Sequence, residues 1–155
     1  MFARLILLAG AAVCGASLEW QDCALQADIP NLHITAYAHY PDPEIVSENH
    51  TISKTYFYDG NSKLESLKET VYIDKSPVHP SDPSFVAWVP YFNNSFDLCS
   101  KEDICPVEVG TSFSLSDTHP PSTTTTTGSW YRANEYYYRD SVWIGCLTTI
   151  YQVIE

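Results

Sequence analysis

The chain has 155 residues, 14% of them aromatic, and carries 19 acidic side chains against 8 basic ones for a formal charge of −11. That length suits one domain with a core of useful size. The acidity excludes the electrostatic footprint of a nucleic-acid binder and disfavours anionic membrane surfaces.

Residues 1–17 have the form of a secretory signal peptide. Arg4 supplies the positive start, residues 5–13 (LILLAGAAV) are apolar, and Gly15, Ala16 and Ser17 are small. The apolar run is too short to span a bilayer, and no later stretch approaches ~20 consecutive apolar residues. Cleavage after Ala16 or Ser17 leaves 18–155 as a single domain, secreted or delivered to an endosomal or lysosomal lumen. It also removes Cys14, so four cysteines remain: Cys23, Cys99, Cys105 and Cys146. An even number in an oxidising compartment reads as a disulfide frame. Of the three pairings, Cys99–Cys105 with Cys23–Cys146 is favoured, since a local pair closes most easily and leaves a long staple. The chain-entropy model gives the long loop roughly 4–5 kcal/mol and the short one roughly 2. Asn49-His50-Thr51 and Asn93-Asn94-Ser95 are glycosylation sequons, at Asn49 and Asn93.

The rest reads as strands. Residues 32–38 alternate apolar and polar, the period of a half-buried strand. Residues 51–58 are β-branched and aromatic and stop at the Asp59-Gly60-Asn61 turn cluster. Residues 69–74 carry Val71 and Ile73 on one face. Residues 85–91 are predicted as a strand with Phe85, Ala87, Val89 and Tyr91 on one face. Residues 111–115 place Phe113 and Leu115 in phase. Residues 131–138 and 142–154 form the last two strands, with Asp140-Ser141 turning between them. In the former, Tyr136 and Tyr138 share a face and Tyr137 takes the other. Prolines punctuate these runs, each removing a ladder donor. No helical period of any length is convincing; residues 63–70 are too short and polar. Seven or eight strands with regular turns predict an antiparallel β-sandwich. Residues 123–127 are all threonine and read as a solvated loop, with a flap beside a pocket as the sharper alternative.

No motif of nucleophilic, phosphate-binding, dinucleotide or zinc-hydrolase chemistry occurs. The five histidines, His33, His39, His50, His79 and His119, are dispersed and no CxxC pair is present, so surface or loop positions and no metal site are expected. Glu102-Asp103 reads as a solvated pair.

Three segments carry a resemblance. Trp20-Gln21-Asp22-Cys23 opens the chain after the leader. Cys99-x5-Cys105-Pro106 follows two-thirds along, with Gly110 four residues past the proline. Ile144-Gly145-Cys146 begins the closing strand. Together these resemble the MD-2-related lipid-recognition (ML) family, which includes the Niemann–Pick type C sterol carrier, mite group 2 allergens and phospholipid-transfer proteins. The resemblance spans nearly all of 18–155, although the third, early cysteine pair of many members is missing. It implies an immunoglobulin-like sandwich with a hydrophobic cavity between its sheets. It also implies non-catalytic binding of a sterol, fatty acid or phospholipid, with the bound lipid as the only ligand and no cofactor. Val89-Pro90-Tyr91 resembles the Val-Pro-aromatic segment at the cavity mouth of sterol carriers.

Phe85, Val89, Tyr91, Phe113, Leu115 and Trp130 are the candidate lipid contacts, and tyrosines are expected around a wet rim. The expected partners are the lipid and a receptor or acceptor-membrane protein, with no nucleic acid and a monomeric chain. The rival reading is a filled-core interaction module that binds a receptor or glycan through tyrosines.

Overall fold

The computed structural model describes residues 18–23 and 31–155; the signal peptide expected over 1–17 lies outside them. Nine strands follow in order: β1 (Glu19–Asp22), β2 (Leu32–Tyr40), β3 (Glu44–Ile45), β4 (His50–Tyr58), β5 (Lys68–Ser76), β6 (Val89–Asp97), β7 (Thr111–His119), β8 (Trp130–Arg139) and β9 (Val142–Ile154). One short helix, α1 (Leu98–Glu102), sits between β6 and β7. Six strands form one sheet, in the order β1-β9-β8-β5-β6 with β3 beside the far end of β9; β2-β4-β7 form the other. All pairings are antiparallel except β3 with β9. This is the all-β, immunoglobulin-like two-sheet sandwich expected from the sequence. Among the described residues, no helix is long and apolar enough to cross a membrane.

Both expected disulfides are present. Cys23–Cys146 ties the end of β1 to β9, and Cys99–Cys105 clamps α1 to the loop behind it. The helix, which no sequence period announced, is set by local chemistry. Asp97 caps it by accepting from the Ser100 amide at 3.1 Å, and Asp103 ends it in the left-handed region.

One predicted strand is corrected. Residues 85–88 are irregular, and the strand starts at Val89. It then runs six residues past the expected end at Tyr91, through Asn93-Asn94-Ser95. Propensity disfavours asparagine in strands, but pairing with β5 overrides it.

Each long strand is divided along its length. Leu32 and Ile34 of β2, Tyr56 and Tyr58 of β4, Tyr137 of β8 and Ile144 and Leu147 of β9 meet in a closed core, joined by Leu64, Leu67, Leu98 and Val107. Further along the same strands, the inward side chains enclose a cavity instead. At the closed end the sheets approach closely. A Cβ on Gly145 would stand 2.5 Å from the Leu32 carbonyl oxygen. Gly145→Ala therefore forces β9 away from β2, and we expect it to lower unfolding free energy by about 1–3 kcal/mol in denaturant titrations.

Candidate functional site: an inter-sheet cavity with a charged floor

The cavity measures about 510 Å³, within the roughly 300–1,000 Å³ range of small-molecule sites. Strand alternation explains who lines it. Ile52, Lys54 and Tyr56 come from β4; Leu115, Asp117 and His119 from β7; Glu69, Val71 and Ile73 from β5; Ala133 and Glu135 from β8. Each set is spaced by two, so one face of each strand turns inward. Phe92 and Phe96 of β6 and Leu98 of α1 add apolar surface, and Lys101 of α1 pairs with Asp117 at the mouth.

The floor is not apolar. Lys54 Nζ lies 2.8 Å from Glu69 Oε1 and also contacts Glu135; both carboxylates are buried and the Lys54 side chain is 13% exposed. Tyr137 donates to Glu135 at 2.6 Å, and its hydroxyl lies 3.3 Å from that of Tyr56. Burial pushes the Glu135 carboxyl up to about 7, with Lys54 pulling the other way and Glu69 adding to the rise. Glu69 is held below its ordinary value. Burial would raise it, but Lys54 and hydrogen bonds from Glu135, Lys54 and Tyr137 outweigh that cost. Burial likewise opposes the Lys54 charge, and Glu135, Tyr56 and Glu69 overcome it. Two carboxyls therefore share one ammonium, and Glu135 holds its proton longest.

The sign of the resulting pH dependence follows. Glu135 keeps its proton up to about 7 in the fold but has an ordinary value of 4.5. Its contribution is fully present below the unfolded value and is lost as pH rises through the folded one. We expect unfolding free energy to fall by about 1–3 kcal/mol between roughly pH 5 and 7.5 from this group. His50 works in the opposite direction, because burial holds its imidazole below the ordinary 6.5. Denaturant titrations of Glu135→Gln against the parent isolate the Glu135 share: the falling limb disappears in the variant.

A second polar group lines the cavity at its other end. His39 Nε2 lies 3.4 Å from Glu44 Oε2, and His50 Nδ1 lies 3.6 Å from Glu44 Oε1. The His39 side chain is 2% exposed and that of Glu44 6%, which corrects the expectation of a surface histidine at His39. Tyr151 meets the His39 ring edge-on, and His119 stacks on His50. The β2–β4 connection carries Glu44 inward. It is held by β3 pairing with β9 and by the Val46 amide donating to the Ile154 carbonyl at 3.0 Å.

The six residues singled out from sequence are not brought together. Leu115 lines the cavity. Phe113 lies one turn of the pleat away, stacked on Tyr56 at 4.8 Å and packed against the core. Val89 is 53% exposed. Tyr91 meets Tyr131 and donates to the Thr124 hydroxyl at 3.2 Å. A bulge explains this placement: Ile73 pairs with Phe92 and Asp74 with Pro90, leaving Tyr91 as the extra residue and Phe92 over the cavity. Phe85 packs on Trp88 in the loop before β6, and Trp130 packs on His79. Tyrosines also differ in place from expectation. Tyr56 and Tyr151 form deep walls whose hydroxyls burial holds well above their ordinary range, while the rim is Lys101, Asp117 and His119. The threonine run does not line the cavity; the Thr126 amide donates to the Tyr131 hydroxyl at 2.9 Å. Asn49 and Asn93 are both exposed.

Parity was the missed signal. Lys54 stands between Ile52 and Tyr56, Glu69 precedes Val71 and Ile73, and Glu135 sits between Ala133 and Tyr137. Three charges on inward faces announce a buried ionic cluster.

No family model and no curated protein matches the chain. Solved structures do. A Niemann-Pick type C2 protein from the Japanese carpenter ant superposes with a TM-score of 0.62 at 9% identity, covering 87% of this chain and 98% of that one. The C-terminal domain of wzt gives 0.54 at 7% identity, over 91% and 80%. Chicken MD-1 complexed with lipid IVa gives 0.48 at 14% identity, over 89% and 92%. The chain thus has the fold of a Niemann-Pick type C2 protein, the fold that the sequence resemblance implied.

Proposed function

We propose that the protein is a secreted lipid carrier that holds a sterol, fatty acid or phospholipid tail between its sheets and carries out no covalent step. The observation that supports this most is the cavity, which occupies a place where a sandwich ordinarily closes its core. Ile52, Val71, Ile73, Phe92, Phe96 and Leu115 would cover the apolar body of the ligand. Each methylene moved there from water is worth ~0.8 kcal/mol. The headgroup would stay at the Lys101–Asp117–His119 rim. Both lysines of the cavity are already paired with carboxylates, which favours neutral over strongly anionic headgroups. Two disulfides fit an oxidising lumen or the cell exterior.

Transfer between vesicles tests this reading. With labelled sterol, fatty acid and phospholipid offered separately, the protein is expected to accelerate movement of at least one from donor to acceptor vesicles. Acceleration of none, together with no uptake from solution, contradicts it.

A receptor- or glycan-binding module is the second reading. It is favoured by an aromatic group on the outer sheet face, where Tyr136 lies 6.0 Å from Tyr72 and 6.2 Å from Trp143. Tyr72 and Trp143 are exposed there. Retained partner affinity in a chain that takes up no lipid would select this alternative.

A further inference from the structure

The geometry points to a divalent-metal site on the cavity wall, formed by His39 Nε2, His50 Nδ1 and the Glu44 carboxylate and suited to Zn²⁺ or a similar first-row ion. The ligand atoms all lie within 4.8 Å of one another. A tetrahedral ion with metal–ligand bonds of about 2.0–2.2 Å holds its ligands about 3.3–3.6 Å apart. His39 Nε2 stands 3.4 Å from Glu44 Oε2 and His50 Nδ1 3.6 Å from Glu44 Oε1, so the carboxylate would face the ion with both oxygens.

Those separations are too long for hydrogen bonds, which run about 2.7–3.2 Å from nitrogen to oxygen. Both ring nitrogens are buried and neither has a hydrogen-bond partner. A buried nitrogen left in that state costs free energy. In the tautomers that turn their lone pairs to the carboxylate, the form a metal requires, the two imidazoles would repel it unless a cation stood between them. A cation at the centre satisfies all three groups together, and imidazole with carboxylate is a donor set for zinc, copper, nickel and iron rather than calcium.

The scaffold is already built. His39 ends β2, His50 opens β4, and Glu44 is fixed by the β3–β9 pairing. All three residues line the cavity, so a fourth position opens into it and takes water or an oxygen of whatever the cavity holds. His119 is stacked on His50 with ring centroids 5.0 Å apart and is a further imidazole beside the site. The site does not depend on the cavity holding lipid.

Tag-free full-length protein, stripped with chelator and purified from a secretion host, is titrated with Zn²⁺ by calorimetry and with Co²⁺ by absorption spectroscopy. One equivalent of Zn²⁺ is expected to bind saturably, and Co²⁺ to give the intense visible bands of a four-coordinate ion. His50→Gln and Glu44→Gln should each weaken Zn²⁺ by at least about 100-fold, beyond the 10–100-fold typical of losing an outer hydrogen-bond partner. His79→Gln should change nothing. The absence of saturable binding at a hundredfold excess of Zn²⁺ would overturn the proposal, as would unchanged affinity in both site variants. Should the variants unfold, the parent's Co²⁺ spectrum decides: weak six-coordinate bands overturn the site.

Discussion

Lys54→Met is expected to lower the free energy of unfolding by about 3–5 kcal/mol in guanidinium titrations, the range seen when one partner of a buried ionic cluster is removed. Lys54 is the only cation in contact with Glu69 and Glu135 among the described ion pairs, and both carboxylates are buried, with side chains 8% and 5% exposed. The loss should be greatest at high pH, where both carboxyls would be ionised without a counter-charge. A triple variant with Lys54, Glu69 and Glu135 all replaced by methionine should recover most of that loss. Apolar residues of similar volume often match or exceed a buried ionic cluster in stability. A triple variant as unstable as the single one would show that shape rather than charge pairing sets the cost. Recovery of stability with altered lipid uptake would show that the cluster serves the ligand.

Leu115→Trp should reduce lipid uptake by about 100-fold while leaving the protein folded. That loss corresponds to three or four methylenes excluded from the lining at ~0.8 kcal/mol each. Leu115 lines the cavity from the middle of β7 and borders the core, so an indole there takes up ligand volume. Ser112→Trp, on the exposed face of the same strand, is the control and should bind as the parent does. Equal uptake by the two variants, read from labelled-lipid binding, would place the ligand outside the sandwich.

Much of the sandwich was legible because alternation and turn chemistry are local. Residues 32–38 alternate and residues 51–58 are β-branched and aromatic, although a bulge between Ile34 and Ala36 reverses the phase of β2 and leaves Ala36 and Ala38 exposed and His39 buried; Asp140 and Ser141 adopt the positive φ values of a tight hairpin, 47° and 72°. The cysteines added long-range information, since four of them allow few pairings. The departures have non-local causes. The bulge opposite Ile73 shifts the phase of β6, so Phe92, itself half exposed, borders the cavity where Tyr91 was expected, and no property of Val89-Pro90-Tyr91 encodes it. Trp130 shares its face of β8 with Arg132, which pairs with Asp74, and not with the inward Ala133 and Glu135. The histidines appeared dispersed because His39 and His50 are eleven residues apart in sequence. The turn between β2 and β4 brings them to one carboxylate. The charged floor was within reach of a parity argument, because Lys54, Glu69 and Glu135 all interrupt apolar inward faces.

Native mass spectrometry of protein from a eukaryotic secretion host, followed by solvent extraction and lipid identification, tests the central claim most directly. The account predicts a discrete added mass that extracts as a sterol, fatty acid or phospholipid and is absent from Leu115→Trp. A parent mass that matches only polypeptide, glycans and two disulfides, and stays so after lipids are offered, would contradict it.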